Sequence, residues 1–237
     1  MERKNKLIIA IMIVGAVGIL AVTWGTFMGG PDLSMGDKKI LVLASDKNEQ
    51  PGGSVDMAFM VELKNGSITK YTPVYPGGMR HPTQPAPGNL QGKMFLHDSL
   101  WDDPVQGMQY AKEIVEANTG MHADAVVVVY DEGLDNVLNS IRPFKVDGEE
   151  SNLSAADIIR ENDNYAGYPG GGPRGTMSRG DAVMVLVKAI SQAATDPNKR
   201  NVMVQTALNE YSKGNILMTP EGSFLGLMAT KGLENLL

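Results

Sequence analysis

Two aspartates, Asp46 and Asp56, are the residues of this 237-residue chain best placed for acid–base or metal chemistry. Asp46 follows the apolar run 39–44, and Asp56 lies near the start of the next apolar run, 55–62. If both runs are strands that pair antiparallel, the two carboxylates lie at one end of the sheet. Such a pair can bind Mg²⁺, which prefers oxygen ligands and keeps several waters. Aspartates also cap turns routinely, and turn chemistry is therefore the alternative interpretation.

Three arginines are candidates for binding a phosphate group. Arg174 and Arg179 lie in or beside the glycine-rich stretch 165–176, and Arg80 lies in the proline- and glycine-rich stretch 73–93. A guanidinium group matches phosphate oxygens with two parallel hydrogen bonds. The start of the helix after Arg179 would add oriented N–H groups. The alternative is that these arginines are solvated in loops. No Gly-Lys-Ser/Thr follows the glycines, so this is not a P-loop.

The adjacent residues His97 and Asp98 suggest a proton-transfer pair. Adjacent side chains seldom bond productively, and an ordinary loop histidine is the alternative. The chain has no G-x-S-x-G nucleophile motif. Its apolar helices could line a lipid cavity, but core packing is the default interpretation of such residues.

Composition excludes several classes of function. The chain has no cysteine, which excludes disulfides, zinc–thiolate sites, iron–sulfur clusters and cysteine nucleophiles. Its three histidines are far apart in sequence, so a histidine metal site is not expected. The net charge is −6, and this acidic balance argues against nucleic acid as a partner.

Periodicity and turn residues predict strands that alternate with helices. Asn65-Gly66 indicates a hairpin between two strands, and Ser178 with Asp181 indicates the capped start of a helix. The predicted strands are 39–44, 55–62, 67–72, 125–130 and 144–146, and the predicted helices are 106–118, 133–140, 154–161, 182–194, 198–212 and one starting at 219–221. This alternation is typical of an α/β domain, a layered α-β-α sandwich with a central mixed sheet.

The N-terminus predicts a single membrane anchor. Residues 7–31 carry no charge, and Arg3, Lys4 and Lys6 precede them. About 20 helical residues cross a bilayer, and basic residues stay on the cytoplasmic side. We therefore expect a cytoplasmic tail (1–6), a transmembrane helix (7–28), a linker (29–38) and an extracytoplasmic domain (39–237), which makes a single-pass protein of the cell membrane. A cleaved signal peptide and a buried core helix are the alternatives.

The order of these segments resembles the LytR-CpsA-Psr family. More closely, it is similar to an uncharacterised group of archaeal membrane-anchored domains related to that family. The resemblance spans roughly residues 39–235, and no single motif in it is specific. The stretches that carry it are 40–46, 55–60, 114–130, 131–141, 178–179 and 207–220.

The resemblance implies a pocket for a polyprenyl chain, arginines around its pyrophosphate, and Mg²⁺ as cofactor. The family transfers a glycopolymer from a polyprenyl-pyrophosphate carrier to a cell-envelope acceptor. In this chain Asp46 and Asp56 would bind metal or activate the acceptor, while Arg80, Arg174 and Arg179 would contact phosphate.

The chain also departs from the bacterial pattern. Ser54 stands near the position of one family arginine, residues 75–77 stand in place of a Pro-Arg-Asp motif, and no second arginine follows Arg179. Two hypotheses follow. The first is a degenerate relative that binds a polyprenyl phosphate or envelope polymer without chemistry, and the second is an active phosphotransferase.

Overall fold

The computed structural model describes residues 32–47, 54–74, 77–166, 171–172 and 174–223. Its strands are β1 (Asp37–Asp46), β2 (Ser54–Lys64), β3 (Ser67–Val74), β4 (Arg80–Pro85), β5 (Lys93–Phe95), β6 (Ala125–Tyr130), β7 (Phe144–Val146), β8 (Glu149–Ser151) and β9 (Ile216–Thr219). Its helices are α1 (Pro104–Thr119), α2 (Asp131–Ser140), α3 (Ala155–Asn162), α4 (Arg179–Ala193) and α5 (Pro197–Ser212).

Five strands form one mixed sheet in the order β3-β2-β1-β6-β9. The central strands β1 and β6 are parallel, whereas the β1–β2, β2–β3 and β6–β9 pairs are antiparallel. Elements cover the central strands on both faces, which explains why β6 is almost entirely valine. The prediction of a central mixed sheet is confirmed.

Alternate residues of the central strands supply two cores on opposite faces of the sheet. Leu41, Leu43 and Val128 pack with α1 on one face. Ile40 and Val127 pack on the other face, toward α5. A further cluster joins α2, α3 and α4 to the same face. The described part of the domain therefore has three layers, with α1 on one side of the sheet and the remaining helices on the other.

Local sequence signals set the element boundaries. Asn65 and Gly66 form the β2–β3 turn with φ of 48° and 70°, the left-handed conformation that these residue types tolerate best. The Ser178 hydroxyl accepts a hydrogen bond from the Asp181 backbone N–H at 3.2 Å and caps α4. The predicted hairpin and the predicted capped helix are both confirmed.

Two features differ from the sequence-based expectations. The proline- and glycine-rich stretch 73–93, for which no strand or helix was predicted, contains β4 and leads into β5 in a small separate ribbon. Strand β9 completes the main sheet beside β6.

Within the described residues no helix is long and apolar enough to cross a bilayer. The predicted anchor (7–28) lies outside those residues, as does most of the helix predicted after position 219.

Candidate functional site

Asp56 lies at a β-bulge where the sheet pairing changes register. Ala44 pairs with Met57 and Ser45 pairs with Val55, so Asp56 is the extra residue of β2. As a result, Val55 faces the α1 core while Met57 contacts the core on the opposite face. Bulges of this kind redirect side chains and occur often beside functional sites. The exposed Asp56 side chain is the one redirected here.

Asp46 lies at the same end of the β1–β2 pair. It is the last residue of β1, is half-buried, and pairs with Ser54 two positions before Asp56. The antiparallel pairing expected from the sequence is therefore observed, and it brings the two aspartates to one end of the sheet. Both residues make further polar or electrostatic contacts. Whether they act in catalysis or bind a metal stays a prediction.

A cavity opens between this end of β2, the end of β3 and the start of α4. About 270 Å³ of space lies between its lining residues, and part of this space is open to solvent. Most of its walls are apolar, and its charged groups are Asp56 and Arg179. The lining residues are Asp56, Met57, Ala58, Phe59, Pro73, Val74, Arg179, Gly180 and Val183.

Arg179 is the first residue of α4, and its side chain is fixed by two contacts. Its Nε donates a hydrogen bond to Asp163 Oδ2 at 3.1 Å. The guanidinium carbon lies 4.3 Å from the centre of the Tyr165 ring. Stacking of this kind adds a cation–π attraction to the ion pair. The Arg179 side chain is 34% exposed, so these contacts bury it only in part.

The other two predicted phosphate-binding arginines lie away from this cavity. Arg80 is on the β4–β5 ribbon, where its guanidinium lies 3.8 Å from the Phe95 ring centre and donates to the Lys93 carbonyl. That ribbon packs against α1, on the face of the sheet opposite α4. Arg174 forms an ion pair with Glu161 on the surface. Contact of either arginine with phosphate stays a prediction.

The residue after Asp46 belongs to a polar network at the carboxyl ends of β1 and β6. Lys47 Nζ donates to Asn215 Oδ1 at 3.1 Å, and Asn215 Nδ2 donates to Glu210 Oε2 at 2.8 Å. Lys213 Nζ donates to Glu210 Oε1 at 2.7 Å. Burial opposes ionisation of Glu210, but hydrogen bonds from Asn215 and Lys213 outweigh it and lower the pKa of Glu210.

His97 and Asp98 do bond to each other. His97 Nδ1 and Asp98 Oδ1 are 2.8 Å apart, in the loop that connects β5 to α1. The His97 carbonyl accepts the Val55 N–H at 3.0 Å, which places this loop beside the Asp56 bulge. The His97–Asp98 contact suggested by the sequence therefore exists. His97 also lies in a loop, as the alternative interpretation expected. A role in proton transfer stays a prediction.

The buried His81 fastens the β4–β5 ribbon to α1. Its Nδ1 accepts the backbone N–H groups of Thr83 and Gln84, so the proton of the neutral ring is on Nε2. Nε2 lies 2.7 Å from Glu113 Oε2. Hydrogen bonds from Gln109 and then from His81 lower the pKa of Glu113. These contacts are structural and do not reach the cavity beside Asp56.

The donor set near the aspartates is small. Among the residues that the structure describes, no group of three or more His, Asp or Glu side chains is arranged to hold a metal ion. Mg²⁺ often uses one or two carboxylates and completes its shell with waters and substrate phosphates. Asp46 and Asp56, at one end of the β1–β2 pair, would supply two carboxylates to such a shell. Binding of Mg²⁺ by these residues stays a prediction.

Residues 35–165 match the model of one protein family, described as "Protein of unknown function (DUF4012)". This match covers just over half of the chain. The chain belongs to this family. The match includes Asp46, Asp56 and Asp163 but ends before Arg179. No curated protein sequence matches the chain significantly.

Solved structures share the fold at low sequence identity. The crystal structure of Bacillus subtilis TagV is 17% identical, with 83% of this chain and 80% of that chain covered and a TM-score of 0.51. Protein gbs0355 from Streptococcus agalactiae is 14% identical, with 83% and 74% covered and a TM-score of 0.53. The described domain therefore shares its fold with these two structures. This finding agrees with the LytR-CpsA-Psr-like fold that the sequence resemblance predicted.

Asp163 and Tyr165 hold Arg179 in place, and neither was among the site residues predicted from the sequence. Asp163 follows α3 directly and precedes a glycine-rich stretch, a position typical of an exposed turn residue. Its side chain is instead fully buried. No local sequence pattern marks Asp163 as a buried residue, because Arg179, the ion-pair partner that compensates its burial, is 16 residues away in sequence.

Proposed function

We propose that this domain binds the phosphate group of a polyprenyl phosphate or a phosphate-containing envelope polymer at the cavity between Asp56 and Arg179. The supporting observation is that Arg179 and the bulge residue Asp56 line the same apolar-walled cavity. The arginine supplies a planar donor group for phosphate oxygens. The start of α4 adds backbone N–H groups that favour an anion. The apolar walls suit the first carbons of an attached lipid chain.

Binding without chemistry is favoured over transfer because of where the arginines lie. Of the three predicted phosphate contacts, only Arg179 lines the described cavity, while Arg80 and Arg174 have partners elsewhere. Transfer would require several charges to neutralise a pyrophosphate as its bond breaks. This agrees with the family arginines that the sequence lacks at Ser54 and after Arg179.

Phosphotransfer to an envelope acceptor is the second candidate function. It is supported by the two aspartates at one end of the β1–β2 pair. In that case Mg²⁺ would be held by Asp46 and Asp56, and when bound it would neutralise charge on the phosphate oxygens. Asp56 would otherwise accept the proton of the acceptor hydroxyl. An Asp56→Ala variant should then lose transfer of a labelled carrier-linked glycan, and unchanged turnover would exclude this role.

We also propose that residues 7–28 anchor the protein and that the domain faces outward from the cell membrane. This rests on the uncharged segment and the preceding basic residues of the sequence. Placement within the archaeal group of relatives is a proposal of the same kind. Protease added to intact cells should degrade the domain, whereas complete protection would contradict the proposed topology.

Native mass spectrometry of the full-length protein purified in detergent tests the binding proposal. We expect a co-purifying polyprenyl phosphate on the wild type and its loss in Arg179→Gln. Lys145→Gln, an exposed residue of β7, is the matched control for charge and should retain the lipid. Retention of the lipid by Arg179→Gln would refute the proposed site. Loss in Arg80→Gln as well would contradict the proposed location, because the β4–β5 ribbon lies on the opposite face of the sheet.

A further inference from the structure

The buried carboxylate of Asp163 is held at both of its oxygens. Oδ1 accepts the Tyr165 backbone N–H at 3.0 Å, and Oδ2 accepts Arg179 Nε at 3.1 Å. The backbone around it is also fixed, because the Asp163 N–H donates to Ile159 and the Asp163 carbonyl accepts from Gly175. The Asp163 side chain is 0% exposed. The Asp163 carboxylate is therefore held in a fixed position, in contact with the first residue of α4.

Two of its contacts orient the Arg179 guanidinium. The bond to Asp163 fixes the Nε edge, and the Tyr165 ring covers one face of the plane at 4.3 Å. A planar group held along one edge and on one face has little rotational freedom left. Arg179, held in this way, also lines the cavity together with Asp56. An arginine oriented before binding loses less conformational entropy when a ligand binds.

Orientation and charge make opposite predictions for Asp163. A negative charge beside Arg179 offsets part of its positive field, so Coulomb attraction alone predicts tighter phosphate binding when Asp163 is neutralised. If orientation matters more, neutralising Asp163 weakens phosphate binding, because the released Arg179 side chain must be ordered again when a ligand binds. The full burial of Asp163 gives its hydrogen bond to Arg179 little competition from water, which favours the effect of orientation.

We infer that Asp163 is a positioning residue that aims Arg179 at the phosphate of the ligand. The inference rests on the proposed function, since it concerns the same cavity. Tyr165 supports the same orientation through its ring. Asp163 itself does not contact the ligand, and its whole effect on binding passes through the Arg179 side chain.

Binding of farnesyl pyrophosphate to the full-length protein in detergent, measured by calorimetry, provides the test. Asp163→Asn should weaken binding about tenfold, the equivalent of one charge-assisted hydrogen bond. Glu150→Gln removes the same charge from an exposed position of β8 and should change affinity less than twofold. Tyr165→Leu removes the ring but keeps the backbone N–H, and it should weaken binding about threefold.

A double-mutant cycle separates positioning from general structural damage. In an Arg179→Gln background, Asp163→Asn should cause no further loss of affinity. A further loss there would mean that Asp163 only maintains the fold, and tighter binding of Asp163→Asn alone would mean that its charge dominates. Either result overturns the inference. If Asp163→Asn does not fold, Tyr165→Leu tests the orientation of Arg179 without a change of charge. Unchanged affinity in the wild-type background, or a further loss of affinity in the Arg179→Gln background, then overturns the inference.

Failure of the proposed function gives a different pattern. No binding of farnesyl pyrophosphate to the wild type would refute both the ligand and the role of Asp163 toward it. The Arg179 Nε–H resonance in NMR spectra then shows whether the side chain is held at all. It should exchange slowly with water in the wild type and rapidly in Asp163→Asn. Rapid exchange in the wild type would show that Asp163 does not fix Arg179, independently of any ligand.

Discussion

Glu210→Gln should destabilise the domain although it leaves the shape of the side chain nearly unchanged. Glu210 is 1% exposed and accepts hydrogen bonds from Lys213 at 2.7 Å and Asn215 at 2.8 Å, and also from Asn136. Glutamine keeps one acceptor oxygen and adds an NH₂ donor that faces other donors. The variant loses two charge-assisted hydrogen bonds and gains one unsatisfied donor. Together these changes should reduce the free energy of unfolding by about 2–3 kcal/mol at pH 7.

The same structure fixes the sign of the pH dependence. The pKa of Glu210 is lowered in the folded protein, because its hydrogen bonds outweigh the effect of burial. The unfolded chain therefore takes up the proton at a higher pH, near its ordinary value of about 4.3. The stabilisation is fully present above that pH and decreases as the pH falls through the folded-state pKa. The difference in stability between wild type and Glu210→Gln should narrow below about pH 4.

Thermal unfolding followed by circular dichroism between pH 7 and pH 3 measures both effects. For a domain of this size, 2 kcal/mol corresponds to about 4–8 °C in Tm. Glu132→Gln removes the same charge from an exposed position of α2 and should shift Tm by less than about 1 °C. An unchanged Tm for Glu210→Gln at pH 7, or a difference that widens toward pH 3, would refute this reasoning.

Two further substitutions test how α1 is held in place. Gly107→Ala improves helix propensity by about 1 kcal/mol, but the added Cβ would lie 2.4 Å from the Ser99 carbonyl oxygen and 2.9 Å from Leu100 Cα. Backbone contacts of this kind cost about 1–3 kcal/mol, so we expect a net loss in urea unfolding, and a gain would contradict the packing. Asp103→Ala removes the side chain that accepts the Val105 N–H at 2.9 Å. It should cost about 1 kcal/mol, and an unchanged urea midpoint would show that this cap is unimportant.

Elements with a strong local signal were predicted well from the sequence. The apolar run 125–130 has the same bounds as β6, because a strand covered on both faces needs apolar residues throughout. Asn65-Gly66 and Ser178 act through contacts within a few residues of themselves, and both were predicted correctly. The helix predicted at 106–118 extends by one to two residues at each end in the structure.

Elements that depend on distant partners were not predicted. Strands β4 and β5 pair irregularly, with registers only at Arg80–Phe95 and Pro85–Lys93, in a stretch whose prolines favour a loop. Strand β9 has four residues and exists because β6 offers it an edge. For the candidate site, the two aspartates were expected at one end of the sheet. The contact of Arg179 with Asp163 and Tyr165 could not be predicted from the sequence, because it forms only when α3 packs against α4.

The parallel pairing at the centre of the sheet has a consequence for how the chain folds. Strands β1, β2 and β3 follow one another and can form a local meander during synthesis. The pairing of β1 with β6 forms later, since it joins distant parts of the chain: Lys39 bonds with Asp124 across 85 positions of sequence. Closing so long a loop is slow compared with forming a hairpin. We expect arrival of β6 to limit the folding rate, and until then the backbone groups along one side of β1 are exposed to pairing with other chains.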